Sequence, residues 1–89
     1  MAKQMVVNLV SAEREIWSGE AEMIVAKTAV GEIGLLAGHE PILAVLVGGQ
    51  IRINSAAGNV TVETQEGGFI SMESDVVTVV VRDAQLSSN

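Results

Sequence analysis

Cysteine and tyrosine are absent from this chain, and Pro41 is its single proline among 89 residues. Without cysteine, neither a disulfide framework nor a thiolate metal site can form. Aromatic rings are also scarce, because only Trp17 and Phe69 supply them. A chain of this length is one domain that buries roughly two-thirds of its unfolded surface. We therefore expect a thin core of aliphatic side chains.

Positive charge is scarce as well. Lys and Arg number five against eleven Asp and Glu, which gives a net charge of −6. Recognition of nucleic acid depends on clustered cations, so we expect no nucleic-acid partner. The acidic balance also argues against direct contact with anionic lipid. The five cations are scattered along the chain: Lys3, Arg14, Lys27, Arg52 and Arg82.

Long hydrophobic runs are missing too. The longest uncharged apolar stretch covers residues 42–49, far short of the ~20 residues that a spanning helix needs. The N-terminus also lacks the apolar segment of a signal peptide. We therefore expect no direct membrane insertion, and any membrane association must come through a partner.

What the chain has is short segments of alternating apolar and polar residues. Alternation with a period of two predicts strands with one face on a core. Turn residues recur at roughly 8–12-residue spacing, which is typical of an all-β, flattened sandwich or barrel. No amphipathic helix is predicted. The strands are expected at 5–10, 14–18 (ending at Gly19), 22–27, 51–54 and 60–65, and the turns at 18–19, 48–49, 57–59, 67–68 and 74–75.

Three further segments lack this alternation. Residues 42–47 form a continuous apolar run after Pro41, which fits either a fully buried strand or a short helix. Residues 76–81 are nearly all β-branched, which favours a strand covered on both faces. Residues 85–89 form a polar tail that we expect to fray, so the domain is predicted to cover residues 1–84.

Candidate chemistry is sparse. His39 is the one histidine, whereas a catalytic triad needs a nucleophile and an acid beside it. Serines are present without a nucleophile-elbow spacing, and metal sites usually need two or more His or Cys ligands. A small hydrolase or a carboxylate-pair glycosidase is therefore disfavoured. We expect His39 to be a loop residue that makes hydrogen bonds or contacts. No catalytic residue, metal, cofactor or small-molecule ligand is predicted.

The most informative segment is glycine-rich and covers residues 31–41, GEIGLLAGHEP. A Walker A loop needs Lys and Ser or Thr directly after its last glycine, and neither is present. The glycine spacing also fails the dinucleotide fingerprint. We expect turns or positive φ at Gly34 and Gly38, with Glu32 and His39 sharing one loop region. Loops on rigid scaffolds commonly carry contacts.

Three ordered motifs resemble the N-terminal domain of the epsilon subunit of F-type ATP synthases. They are VSAEREIWSG at 10–19, GEIGLL at 31–36 followed by GHEPIL at 38–43, and GGFI at 67–70 before VVTVV at 76–80. The resemblance as a whole extends over residues 5 to about 84. Ala37 stands where the family commonly has proline, which affects only the rigidity of the loop.

The resemblance implies a flattened sandwich of about ten strands that does no chemistry itself. It implies a place in the central stalk between the gamma subunit and the membrane ring of c subunits, where it couples proton flow to ATP synthesis. It also implies a peripheral position on the inner face of the energy-coupling membrane, most simply a bacterial plasma membrane. The family's c-ring contact residues fall on Glu32 and His39, and the residues that shape the loop on Gly31, Gly34, Gly38 and Pro41.

Family members usually continue into a helical pair that can inhibit ATP hydrolysis. We expect residues 85–89 to be the start of that region, with the helices themselves absent. Inhibition by the helices is therefore not carried over to this chain. The residues alone leave open an alternative, a generic β-sandwich module that binds another protein. That alternative predicts the same alternating strands but gives no reason for Glu32 and His39.

Overall fold

The computed structural model describes residues 4–55 and 58–88, and this part of the chain consists of strands and turns with no helix. The turn predicted at 57–59 therefore lies partly outside the described residues, and Lys3 lies wholly outside them. The strands are β1 (Met5–Ser11), β2 (Glu15–Ala21), β3 (Met23–Thr28), β4 (Gly31–Leu36), β5 (Ile42–Leu46), β6 (Gly49–Ser55), β7 (Gly58–Thr64), β8 (Gly68–Glu73), β9 (Val76–Val81) and β10 (Gln85–Ser88). The all-β prediction of about ten short strands is confirmed.

The strands form one sheet whose order is β10-β7-β6-β3-β5-β8-β9-β1-β2. Strand β3 changes partner along its length, since Met23–Val25 pairs with β6 and Thr28 pairs with β5. Its other edge pairs with β4 throughout. Neighbouring strands are antiparallel except for β1 and β9, which run parallel from Val6–Val76 to Ser11–Val81.

One aliphatic core fills the folded sheet, which measures 35 × 27 × 21 Å. These unequal extents confirm the flattened shape. Alternate residues of β1, β6 and β9 point inward, as the period-2 pattern predicts. Neither ring lies in this core, because Trp17 is half-buried and Phe69 is 55% exposed. The buried hydrophobic side chains of the described residues are Met5, Val7, Leu9, Ala21, Ile24, Ala26, Leu35, Leu46, Ile51, Ile53, Val62, Ile70, Met72, Val77, Val79 and Val81.

Strand β2 does not end at Gly19, contrary to the prediction. It continues to Ala21 because Gly19 pairs with Val7 of β1. A Cβ at Gly19 would lie 3.0 Å from the Trp17 ring. The glycine here makes room for the indole instead of breaking the strand.

The burial predicted for the apolar segments 42–47 and 76–81 is wrong. Residues 42–46 are strand β5, yet Leu43 is 74% exposed. In β9, Val76 and Val80 are 41% and 42% exposed. β-branched residues favour an extended backbone, but their presence does not show that both faces of the strand are covered.

The prediction that the tail frays is also wrong for residues 85–88. They form β10, which pairs with β7 from Gln85–Glu63 to Ser88–Val60. The unpaired backbone edge of β7 supplies partners that a polar sequence does not reveal. The boundary predicted at residue 84 stays a prediction.

Asp83, in the segment between β9 and β10, is hydrogen-bonded to the turn between β7 and β8. Its Oδ1 accepts hydrogen bonds from the Thr64 hydroxyl (3.0 Å) and the Glu66 N–H (3.1 Å), and Oδ2 accepts from the Gln65 N–H (3.1 Å). The Gly67 N–H donates to Thr64 Oγ1 at 3.1 Å. One carboxylate thus accepts hydrogen bonds from three donors of this turn.

These bonds lower the pKa of Asp83. The largest cause is the Gln65 N–H, followed by the Glu66 N–H, and both favour the charged carboxylate. A pKa that is lower in the folded state contributes stability above the unfolded value of about 3.9. That contribution disappears as the pH falls through the folded value.

We expect Asp83→Asn to unfold at lower urea concentration than the parent protein at pH 7, because the turn loses a charged acceptor. The gap should narrow as the pH falls from about 4 through the lower pKa of the folded carboxylate, because the parent side chain then becomes protonated and loses its charge. Urea titrations across this pH range measure it. Glu73→Gln, which removes an exposed carboxylate of β8, is the control. A gap of constant size at every pH would contradict the assignment.

Gly67 and Gly68 mark a close approach of three backbone segments. A Cβ at Gly68 would lie 1.9 Å from the Val80 carbonyl oxygen, and one at Gly67 would lie 2.2 Å from that of Leu46. Gly67 also has a φ of 81°, which residues other than glycine rarely adopt. The turn predicted at this pair is therefore confirmed, and the backbone of two other strands packs closely against it.

Gly68→Ala should destabilise the fold by about 1–3 kcal/mol, the usual cost of overpacking, because the obstacle is backbone. The matched control is Gly34→Ala in β4, where a Cβ meets only the flexible end of Met23 at 3.0 Å. The free energy of unfolding from urea titration compares the two variants. Equal losses would show that the close approach at Gly68 is unimportant.

Candidate functional site

Glu32 lies in a strand and not in a loop, which corrects the prediction for residues 31–36. Strand β4 pairs with β3 along its full length, so only residues 37–41 form a connection. The β3–β4 turn is closed by the Thr28 hydroxyl, which donates to the Gly31 carbonyl (2.6 Å) and accepts from the Val30 N–H (3.2 Å). Residues 31–36 resemble a loop in sequence because two of them are glycines.

The glycines of this segment have three different roles. Gly31 has a φ of 131° where the turn enters β4, and Gly38 has a φ of 89° in the connection to β5. The expected positive φ at Gly38 is therefore confirmed. Gly34 is an ordinary strand residue opposite Val25, so the turn expected there is wrong. Pro41 is exposed directly before β5.

The Glu32 carboxylate lies on the outer face of the sheet, where it pairs with one cation and has a second on the neighbouring strand. Lys27 is its cross-strand neighbour in β3, and Arg52 Nη2 of β6 lies 3.4 Å from Glu32 Oε2. The side chains of Arg52 and Glu32 are 53% and 61% exposed. Such an exposed pair contributes only about 0–1 kcal/mol, so the carboxylate can exchange Arg52 for another partner at little cost.

His39 lies in the connection after β4. Its N–H donates to the Leu36 carbonyl at 3.1 Å, and its Nδ1 lies 2.7 Å from the Glu40 carbonyl oxygen. Because a carbonyl only accepts, Nδ1 carries a hydrogen and donates it. Among the described residues no serine hydroxyl contacts the ring, and Nε2 is left for an outside partner.

Glu32 and His39 are not brought together. They lie towards opposite ends of β4, and about 13 Å separates the Cα atoms of Glu32 and Leu36 at ~3.3 Å per residue. The prediction that they share one loop region is therefore wrong. A partner that contacts both residues must present repeated groups or an extended surface.

The structure adds Arg52 and Asp75 to the surroundings of these residues. Arg52 pairs with Glu32, and Asp75 Oδ1 accepts the Gly38 N–H at 2.6 Å. Neither contact could be found from local sequence patterns, because the partners lie 20 and 37 residues apart.

A row of apolar side chains crosses the outer face of four neighbouring strands. Val45, Phe69, Val80 and Val10 are successive cross-strand partners from β5 through β8 and β9 to β1. We call these four residues the outer apolar row. Val45, Phe69 and Val80 are 52%, 55% and 42% exposed, and a recess of about 360 Å³ lies beside them. Exposed apolar patches of this kind mark interaction surfaces.

The described residues contain no group of three or more His, Asp or Glu side chains that could hold a metal ion. None of their elements is an apolar helix of bilayer-spanning length.

Sequence comparison identifies relatives over almost the whole chain. Residues 4–87 match the family model of the ATP synthase, Delta/Epsilon chain, beta-sandwich domain. An ATP synthase epsilon chain from Streptomyces coelicolor is 42% identical over 87 residues, which cover 98% of this chain and 70% of the relative. One from Micrococcus luteus is 42% identical over 80 residues, which cover 90% of this chain and 88% of the relative.

Solved structures show the same fold. A chain of the Euglena gracilis mitochondrial ATP synthase, solved as OSCP/F1/c-ring, superposes with a TM-score of 0.86 at 24% identity. A chain of the Tetrahymena thermophila mitochondrial ATP synthase central stalk/c-ring gives 0.76 at 20% identity. Each match covers 93% of this chain, but only 53% and 66% of the respective neighbour.

The matched residues include the motifs at 10–19, 31–43 and 67–80 on which the resemblance was based, and the observed sandwich agrees with the domain that the family model describes. The chain therefore belongs to the family of ATP synthase epsilon chains.

Proposed function

We propose that this domain is a non-catalytic rotor component of a proton-translocating F-type ATP synthase. It bridges the gamma subunit and the c ring in the central stalk and so couples proton flow to ATP synthesis. The observation that carries the proposal is the presence of two unlike surfaces on one stiff sandwich. One surface bears Glu32, Arg52 and, beyond β4, His39, and the other is the outer apolar row.

The polar residues suit the c ring. A ring presents the same loop many times, so neighbouring copies can meet contacts that lie towards opposite ends of β4. Glu32 can pair with a basic loop residue, and His39 offers Nε2 because Nδ1 is occupied by Glu40. Each contact is exposed and individually weak, which fits a multivalent attachment.

The outer apolar row suits gamma. Half-exposed aliphatic side chains around an aromatic ring resemble the apolar centre of a stable interface, where aromatic residues are enriched. Covering them releases water from apolar surface, worth roughly 25 cal/mol per Å². We assign Val10, Val45, Phe69 and Val80 to the gamma contact, with Leu43 beside them.

The proposed position follows from these partners. The domain lies peripherally at the inner face of the energy-coupling membrane and is held there by the c ring. The alternative is a generic β-sandwich module that binds another protein. It explains the outer apolar row equally well, but it gives no role to Glu32 and His39, so these two residues separate the hypotheses.

Replacing Glu32 and His39 together with alanine should reduce proton-driven ATP synthesis in reassembled complexes by several-fold. Both side chains are exposed, so the isolated domain should keep its circular-dichroism spectrum and unfolding midpoint. The matched control is Glu20→Ala, which removes an exposed carboxylate on β2. Unchanged coupling in the double variant would favour the generic module.

Phe69→Gln should weaken binding to gamma by about tenfold or more, since it removes the ring at the centre of the outer apolar row. Its fold should be retained because the ring is 55% exposed. Leu86→Gln, which changes a side chain of β10 that is 49% exposed, is the control and should bind normally. Titration of labelled chain with purified gamma measures both affinities.

Titration with gamma also tests the proposed gamma contact as a whole. If the unmodified chain does not bind gamma at micromolar concentration, while a Streptomyces coelicolor epsilon chain does, the proposed gamma contact is wrong. If both variants bind as the parent does, gamma contacts another face of the sandwich.

A further inference from the structure

The turn between β8 and β9 has an unfavourable sequence for its geometry. Glu73 and Val76 are cross-strand partners, so Ser74 and Asp75 are the two central residues of a hairpin. Their φ values are 51° and 61°. Two positive values are typical of a type I′ turn, in which Asn-Gly or Gly-Gly is strongly preferred. Ser74 and Asp75 therefore hold a strained backbone that glycine would relieve.

Asp75 provides something that glycine cannot. Its Oδ1 accepts the Gly38 N–H at 2.6 Å, a short bond of the kind that ionised acceptors form. Its backbone carbonyl accepts the Val6 N–H at 2.9 Å. One residue thus connects the β4–β5 connection, the β8–β9 turn and β1.

The Gly38 bond bears directly on His39. The connection is held from β4 by the bond between the His39 N–H and Leu36. Gly38, at a φ of 89°, is a permissive residue that could rotate without this second anchor. The orientation of the imidazole follows from the Gly38 and His39 backbone, and its Nδ1 bond to Glu40 then directs Nε2 outward.

We propose that Asp75 is a positioning residue that fixes the Gly38–His39 backbone, so that His39 is presented to the c ring in one orientation. Asp75 itself does not contact the ring. This inference rests on the proposed function, because the value of a fixed His39 lies in the contact that it makes. It also explains why a strained hairpin residue stands where glycine would fold more easily.

Asp75→Gly separates positioning from stability. Glycine relieves the strained φ, so the unfolding midpoint should stay the same or rise, whereas the anchor of Gly38 is lost. The matched control is Ser74→Gly, which relieves the neighbouring position and keeps the carboxylate. Asp75→Asn keeps an oxygen acceptor at Oδ1 and should restore the anchor.

Amide hydrogen exchange of the isolated chain is the first measurement. The Gly38 N–H should exchange about tenfold faster in Asp75→Gly, as expected for loss of one hydrogen bond. It should keep nearly the parent rate in Ser74→Gly and Asp75→Asn. A parent-like rate in Asp75→Gly would show that the anchor does not exist, whatever the function of the domain.

Binding to a purified gamma–c-ring subcomplex is the second measurement. Asp75→Gly should bind severalfold more weakly than Ser74→Gly, and it should lose little further affinity when His39→Ala is added. Full affinity despite fast Gly38 exchange would overturn the positioning role, as would a fall in unfolding midpoint that accounts for the weaker binding. Failure of the parent chain to bind the subcomplex would instead overturn the proposed function and, with it, the purpose assigned to the anchor.

Discussion

The pairing of β3 with two different strands on one edge is the constraint from which the architecture follows. Met23–Val25 pairs with β6, while Thr28 pairs with β5. The two partners use successive parts of the same edge, so β3 joins the β10-β7-β6 half of the sheet to the β5-β8-β9-β1-β2 half. The inward residues of both halves then face each other and form one core. The β3–β4 hairpin, which bears Glu32, lies at this junction because β4 pairs with β3 along its full length.

A close approach of backbone segments sets the second constraint. It lies at the start of β8, beside a core of aliphatic side chains. Gly67 and Gly68 lie against the carbonyls of Leu46 and Val80 because no Cβ fits there. Phe69, the next residue, points outward into the outer apolar row. The same strand therefore closes the core through its glycines and presents its ring to solvent.

Local pattern predicted the class of the fold but not its pairings. Alternation located β1, β6 and β7, because a strand with one buried face has a period of two whatever its neighbours are. Strand β4 was missed because its pairing with β3 outweighs two glycines, and β10 because the edge of β7 accepts a polar segment. The outward exposure of Val80 was unpredictable, since composition does not report which face a strand buries.

The candidate site was predicted to a similar extent. The family motif identified Glu32 and His39, but a motif contains no distances, so their separation along β4 and the contacts of Arg52 and Asp75 came only from the fold. In the proposed arrangement these facts assign unequal roles to the two surfaces. Covering apolar surface on the outer apolar row is favourable by roughly 25 cal/mol per Å² before the costs of association, whereas an exposed pair such as Glu32–Arg52 contributes about 0–1 kcal/mol. Attachment therefore depends on the apolar face. In this proposal the polar contacts supply register with the ring. Register requires that weak groups be held in fixed positions, Glu32 by the pairing of β4 and His39 by the hydrogen bonds of the connection after β4.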